Sequence, residues 1–190
     1  MKNKKFIGLF ILIALFTLVT LKPSRANAYG LNYSKFYVGI NGGIASTSLG
    51  NGLSTKSRGT YNLTIGDNYH MNNVVIGGGA LLGYASDGSY SGSGYSFNVN
   101  SVYYGAFVKG GYNYENFTPF VKVGYIGYSY SISNNNNYSY SIGSEGGVLY
   151  GVGVKYSFTS NWGVTAQYMG ASLSSSYKEN NYLIGIDYSF

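Results

Sequence analysis

The chain has 190 residues, with 12 basic and six acidic side chains, 23 Tyr, 29 Gly and no Cys. The absence of cysteine excludes a disulfide framework and thiolate chemistry. Few charges combined with many aromatics exclude a disordered chain, and the scarcity of Ala, Glu, Lys and Leu argues against a helical bundle.

The first 28 residues read as an export signal. Lys2, Lys4 and Lys5 form a positive start, Phe6 to Leu21 is apolar, and Pro23 precedes a small-x-small site at Ala26-Asn27-Ala28. The run is short for a membrane span. Residues 1–28 are therefore expected to be a cleaved signal peptide and residues 29–190 a single domain. Cleavage would remove Lys2, Lys4, Lys5, Lys22 and Arg25, leaving seven basic residues against six acidic ones. The formal charge of +6 thus belongs mainly to the export signal, and no nucleic-acid partner is expected.

Beyond Tyr29 the recurring pattern has period two, which is that of a strand. The first segment, "FYVGINGGIA", sets Phe36, Val38, Ile40 and Ile44 on one face and Tyr37, Gly39, Asn41 and Gly43 on the other. "SVYYGAFVKGGYNY" sets Val102, Tyr104, Ala106 and Val108 against Gly105, Lys109, Gly111 and Asn113. "GVLYGVGVKYSF" and "WGVTAQYMGA" continue the alternation through Val152, Val154, Trp162, Val164 and Tyr168. Eight strands are predicted, at 35–46, 58–66, 74–88, 96–114, 117–131, 140–158, 162–173 and 181–190. The second could instead lie at 74–85 with the third at 90–99. The first assignment is preferred because it leaves two matched hairpins. "DNYHMNN", holding the single histidine His70, is then read as a turn. Tight connections (Glu115-Asn116, Thr159-Ser160-Asn161) alternate with long polar ones.

Each strand is greasy on one face and small or polar on the other. A closed sheet in lipid turns the greasy face outward and satisfies every backbone group. The expected fold is an all-β, eight-stranded antiparallel transmembrane β-barrel whose narrow interior is filled by side chains. Phe36, Tyr112, Tyr114, Phe117, Phe158, Trp162, Tyr188 and Phe190 fall at the short-turn ends of their strands and are read as the inner aromatic girdle.

Gly185, Tyr188 and Phe190 resemble the C-terminal assembly signal of outer-membrane proteins, which implies the barrel-insertion machinery as a partner during assembly. Leu183 stands where that signal usually has a polar residue. With "FYVGINGG" and "YGVGVKYSFTSNWGVTAQY", the chain from Tyr29 onward resembles the small OmpA-like and opacity-type barrels. The resemblance implies the bacterial outer membrane, with its lipid and lipopolysaccharide as surroundings. It also implies a structural or adhesin-like role.

Lys109, Lys122, Lys155, Gln167 and Asp187 share the inward parity and are expected to form a buried polar plug. Lys109 and Lys122 face one another across the Glu115-Asn116 turn, where like charges are destabilising unless compensated. The alternative is that the lysines line a narrow anion-favouring pore. A lipid-modifying enzyme is the third class, but no Ser-His-Asp arrangement, metal cluster or cofactor pattern is visible around His70. The Tyr-, Ser- and Asn-rich loops make an adaptable surface suited to a host or sugar ligand. Lys56 and Arg58 are candidates for lipopolysaccharide phosphates.

Overall fold

The computed structural model describes residues 32–48, 57–86, 90–92, 95–134, 139–173 and 178–190. The proposed signal segment lies outside the described residues, as do Lys56 and Asn135. Nine strands are present among the described residues: β1 (Asn32–Ser48), β2 (Arg58–Met71), β3 (Val74–Ala85), β4 (Tyr90–Gly92), β5 (Tyr95–Tyr112), β6 (Phe117–Asn134), β7 (Ser139–Ser157), β8 (Trp162–Leu173) and β9 (Lys178–Ser189). Each pairs antiparallel with its neighbours. Pairing of β1 with β9 and of β3 with β5 closes the sheet. Eight strands make the barrel. The ninth, β4, pairs only with the start of β5.

The preferred strand assignment holds, with one correction. Strand β2 does not end at residue 66. It runs to Met71, and "DNYHM" continues the ladder with β1 from Asp67↔Phe36 to Met71↔Asn32. The turn is only Asn72-Asn73, and Asn72 takes φ 52°. Asparagine tolerates this left-handed conformation, so the strand needs no longer connection. Glu115, at φ 54°, plays the same part in the Glu115-Asn116 turn, which Tyr114 and Phe117 close with two backbone hydrogen bonds of 2.7 and 2.9 Å. At the third short turn, Thr159 Oγ1 accepts hydrogen bonds from the backbone of Asn161 and Trp162.

The alternation resolves as expected on the outside. Ile40 and Ile184 are each 67% exposed, and Val108, Val121 and Val152 lie on the same lipid-facing belt. A second ring of aromatics, not identified from the sequence, bounds this belt at its far edge. Tyr61, Tyr104, Tyr125, Tyr150, Tyr168 and Tyr182 sit six or eight residues along their strands from the aromatics Tyr69, Tyr112, Phe117, Tyr156, Trp162 and Tyr188 near the short turns. Neighbouring rings touch, as in Tyr150–Tyr168 at 6.3 Å and Tyr168–Tyr182 at 5.3 Å.

The inside differs from the small polar face that the sequence suggested. The upper half of the lumen holds an apolar cluster. Tyr103, Ile126, Tyr128, Leu149, Met169 and Leu183 are packed together and almost fully buried. Alternate glycines make this packing feasible. A Cβ on Gly83 would collide with the ring of Tyr103, its register partner on β5. The ring folds over the neighbouring strand on the inner face, so the position beside it must be bare.

Above the outer aromatic ring the barrel is lopsided. Strands β5, β6 and β7 run on for nine, nine and eleven residues past Tyr104, Tyr125 and Tyr150. Strands β8 and β9 run on for only five and four past Tyr168 and Tyr182. A register shift at Tyr130/Ser131, facing Gly143 at φ 142°, bends the projecting ribbon.

The Tyr103–Gly83 contact makes a direct prediction. Gly83→Ala should destabilise the barrel by about 1–3 kcal/mol through overpacking. In the Tyr103→Leu background, where the ring is gone, the same change should cost much less. Urea unfolding of the four proteins in lipid vesicles gives the coupling, and additive costs would refute the packing account.

Candidate functional site

Below the apolar plug the lumen is polar, and the sequence-predicted cluster comes together there. Lys109 of β5 and Lys122 of β6 are directly paired in register. Gly151 of β7 is the register partner of Lys122, and a Cβ there would lie 2.9 Å from the lysine stem. Lys122 Nζ donates to Gln167 Oε1 at 2.6 Å. Gln167 Nε2 in turn donates to Asn41 Oδ1 at 3.0 Å, and Asn41 Nδ2 to Asn62 Oδ1 at 2.9 Å. Asn62 then reaches the Tyr103 hydroxyl at 3.3 Å, which also meets Thr60 Oγ1 at 2.9 Å. A hydrogen-bond chain thus crosses the barrel from β6 through β8, β1 and β2 to β5. Asn41 already stood on the inward parity; Asn62 and Tyr103 share it, and that parity was the signal for all three.

The acid divides its attention unequally. Asp187 Oδ1 accepts from Thr165 Oγ1 at 2.9 Å. Its Oδ2 lies 2.9 Å from Lys155 Nζ, in ion-pair contact but off the line of a hydrogen bond. Gly163 leaves room for this pair, since a Cβ there would lie 2.6 Å from Lys155 Cε. Neither Lys109 nor Lys122 has a carboxylate in ion-pair reach among the described residues. Lys109 Nζ sits instead over the Tyr37 ring at 4.1 Å and the Phe120 ring at 5.6 Å. Cation–π attraction of this kind contributes ~0.5–2 kcal/mol and leaves the charge itself in place.

These groups border a cavity of about 470 Å³ that reaches the short turns at Glu115-Asn116 and Thr159–Asn161. His70 lies on its wall rather than in a turn. Its ring stacks on Tyr33 at 4.6 Å and its Nδ1 meets Asn113 Nδ2 at 3.2 Å. Asp67 is on the other parity, where Ser34 Oγ donates to it. Ser34, His70 and Asp67 therefore do not form a nucleophile, base and orienting acid.

Arg58, considered for lipopolysaccharide phosphates, is turned inward. Its guanidinium pairs with Glu179 at the top of the lumen, and Thr47 Oγ1 donates to the same carboxylate oxygen at 2.6 Å. The reason is electrostatic: Glu179 is almost fully buried and needs a cation.

The proposed girdle residues Phe36, Tyr112, Tyr114, Phe117, Phe158 and Trp162 all lie exposed at the short-turn rim. Of the tail, Gly185 faces the lumen against Asn41. Tyr188 and Phe190 join the rim, with Phe190 5.8 Å from Phe36 and 4.9 Å from Tyr188.

Taken together, a closed eight-stranded sheet with an apolar exterior bounded by two aromatic rings is an outer-membrane β-barrel. The family model described as "Outer membrane protein beta-barrel domain" matches residues 11–190, and the chain belongs to that family, placing it in the bacterial outer membrane. Among solved structures it is similar to Ail, the attachment invasion locus protein of Yersinia pestis, crystallised in complex with the heparin analogue sucrose octasulfate. That likeness is at 18% identity and TM-score 0.61, covering 83% of this chain and 99% of that one. It is also similar to Neisserial surface protein A, at 16% identity and TM-score 0.61, covering 83% and 99%. At such identities the likeness is one of fold. No curated protein matches the chain in sequence.

The ion pair generates a second prediction. Asp187→Asn should destabilise the barrel by about 1–3 kcal/mol, below the cost of breaking a fully buried pair because both partners keep some exposure. Lys155→Met in that background should recover part of the loss, whereas Lys109→Met should recover less. Urea midpoints in vesicles decide this, and equal recovery by both lysine changes would show that Asp187 serves the cluster as a whole.

Proposed function

We propose that the protein is a non-enzymatic surface-attachment barrel whose projecting β5–β7 ribbon carries a contact surface for a host or sugar ligand. The observation that carries this reading is the asymmetric extension of three strands beyond the outer aromatic ring. A barrel needs no such extension to span lipid. The extended segments, "YSFNVNS", "YSISN" and "SYSIGSEGG", are rich in Tyr, Ser and Asn, types that combine rigid contact area with adaptable hydrogen bonding. The similarity to Ail, named for attachment and crystallised with a heparin analogue, favours an attachment role.

The same reading treats the interior polar cluster as structural support for the platform. The apolar layer at Tyr103, Ile126, Leu149 and Met169 argues against a through-going pore. The separation of Ser34 and Asp67 from His70 argues against hydrolysis. The signal peptide at 1–28 and the Gly185–Tyr188–Phe190 assembly signal are the proposed routes of export and insertion.

The test uses intact cells. Shortening the ribbon by removing residues 90–98 and 131–143 should leave insertion unchanged and reduce adherence to host cells to that of a strain lacking the protein. A tag at Asn135 should be reached by antibody on intact cells, and one at Ser160 should not. Unchanged adherence with steady single-channel conductance would replace the attachment reading with the pore.

A further inference from the structure

We infer that the turn-side half of the lumen is a blind vestibule that binds a small dianionic oxyanion, phosphate or a phosphomonoester, between Lys109 and Lys122. This goes beyond the attachment role and does not depend on it.

Three observations carry the inference. The first is charge. Lys35, Lys109, Lys122 and Lys155 line one cavity with Asp187 and, at its edge, Glu115. Asp187 is engaged by Lys155, which leaves the register-paired Lys109 and Lys122 with no carboxylate in ion-pair contact among the described residues. Paired strand positions sit only ~5 Å apart at Cβ, so two ammonium groups there repel unless something neutralises both. One dianion does so with a single ligand.

The second observation is the donor set. An ammonium has three N–H donors. Lys122 uses one on Gln167, and Lys109 offers its charge only to the Tyr37 and Phe120 rings. The Tyr37 hydroxyl lies on the same cavity wall. It is buried and has no hydrogen-bond partner among the described residues. Donors without acceptors are what an oxyanion requires.

The third is shape. The cavity holds about 470 Å³, ample for a phosphate with a short organic group, and it reaches the short turns at Glu115-Asn116 and Thr159–Asn161. Its inner end abuts the apolar layer at Phe107. In an outer-membrane barrel the short turns face the periplasm. The vestibule therefore takes its ligand from the periplasmic side. The aromatic walls lower the local dielectric and strengthen the ion contact.

The experiment is calorimetric titration of the full-length barrel in nanodiscs, at constant ionic strength, with inorganic phosphate and separately with glycerol phosphate. Saturable one-to-one binding of either is expected. Binding of both identifies the phosphomonoester class, and binding of inorganic phosphate alone identifies the free ion. Lys109→Met and Lys122→Met should each weaken binding about ten-fold or more, as expected for loss of a charge-assisted contact. Both variants remove like-charge repulsion, so both should fold. Lys122→Arg should retain binding, and Lys178→Ala, at the opposite end of the barrel, should leave it unchanged. Absence of saturable binding to the folded wild type overturns the inference. So does binding that survives the double Lys109→Met, Lys122→Met change.

Discussion

In hydrocarbon there is no water to accept an unpaired N–H, and this one constraint organises the whole molecule. It forces the sheet to close, with β1 on β9 and β3 on β5. Closure with only eight strands fixes a lumen narrow enough for side chains to fill much of it. An inward position then either carries a large side chain or makes way for one on the neighbouring strand. The alternation of Gly83 with Tyr103, Gly151 with Lys122 and Gly163 with Lys155 follows from that geometry rather than from any need for backbone freedom.

The crossing side chains sort by height into three zones. An apolar layer occupies the middle and upper lumen, the Arg58–Glu179 pair lies above it, and the lysine-rich chamber opens below it. Burial of charge is tolerated at the cap because each partner satisfies the other. In the chamber the balance is incomplete, since four lysines share the space with one engaged aspartate and a rim glutamate. The chain of amides from Gln167 to Asn41 and Asn62 runs from the chamber up to the Tyr103 hydroxyl and ties five strands into one unit.

The fold was largely legible because lipid exposure writes a period of two directly into the residues. Val152, Val154, Val164 and Ile186 announce an outer face wherever they occur. The end of β2 was not legible, because a two-residue Asn72-Asn73 turn hinges on one backbone angle that composition does not encode. The lumen was only partly legible. Lys109 opposite Lys122 follows from counting back from a tight turn. The choice of Lys155 by Asp187, and the inward turn of Arg58, depend on which side chains meet across the barrel between strands far apart in sequence. Leu149 and Met169 were on the inward parity from the start. Their packing into a plug was missed because the surrounding glycines and serines made that face read as polar.

The spacing of the two aromatic rings has a consequence for the membrane itself. Six to ten residues separate the rings on the strands that carry both, from Trp162–Tyr168 on β8 to Tyr104 and Tyr114 at β5. At ~3.4 Å per residue and a tilt near 40°, that is an apolar height of about 16–26 Å, so the belt meets the ~25 Å band usual for such barrels beside β5 and falls short of it beside β8. A belt of uneven height is accommodated by tilting the barrel or by shortening the acyl chains on its low side, each at a modest cost.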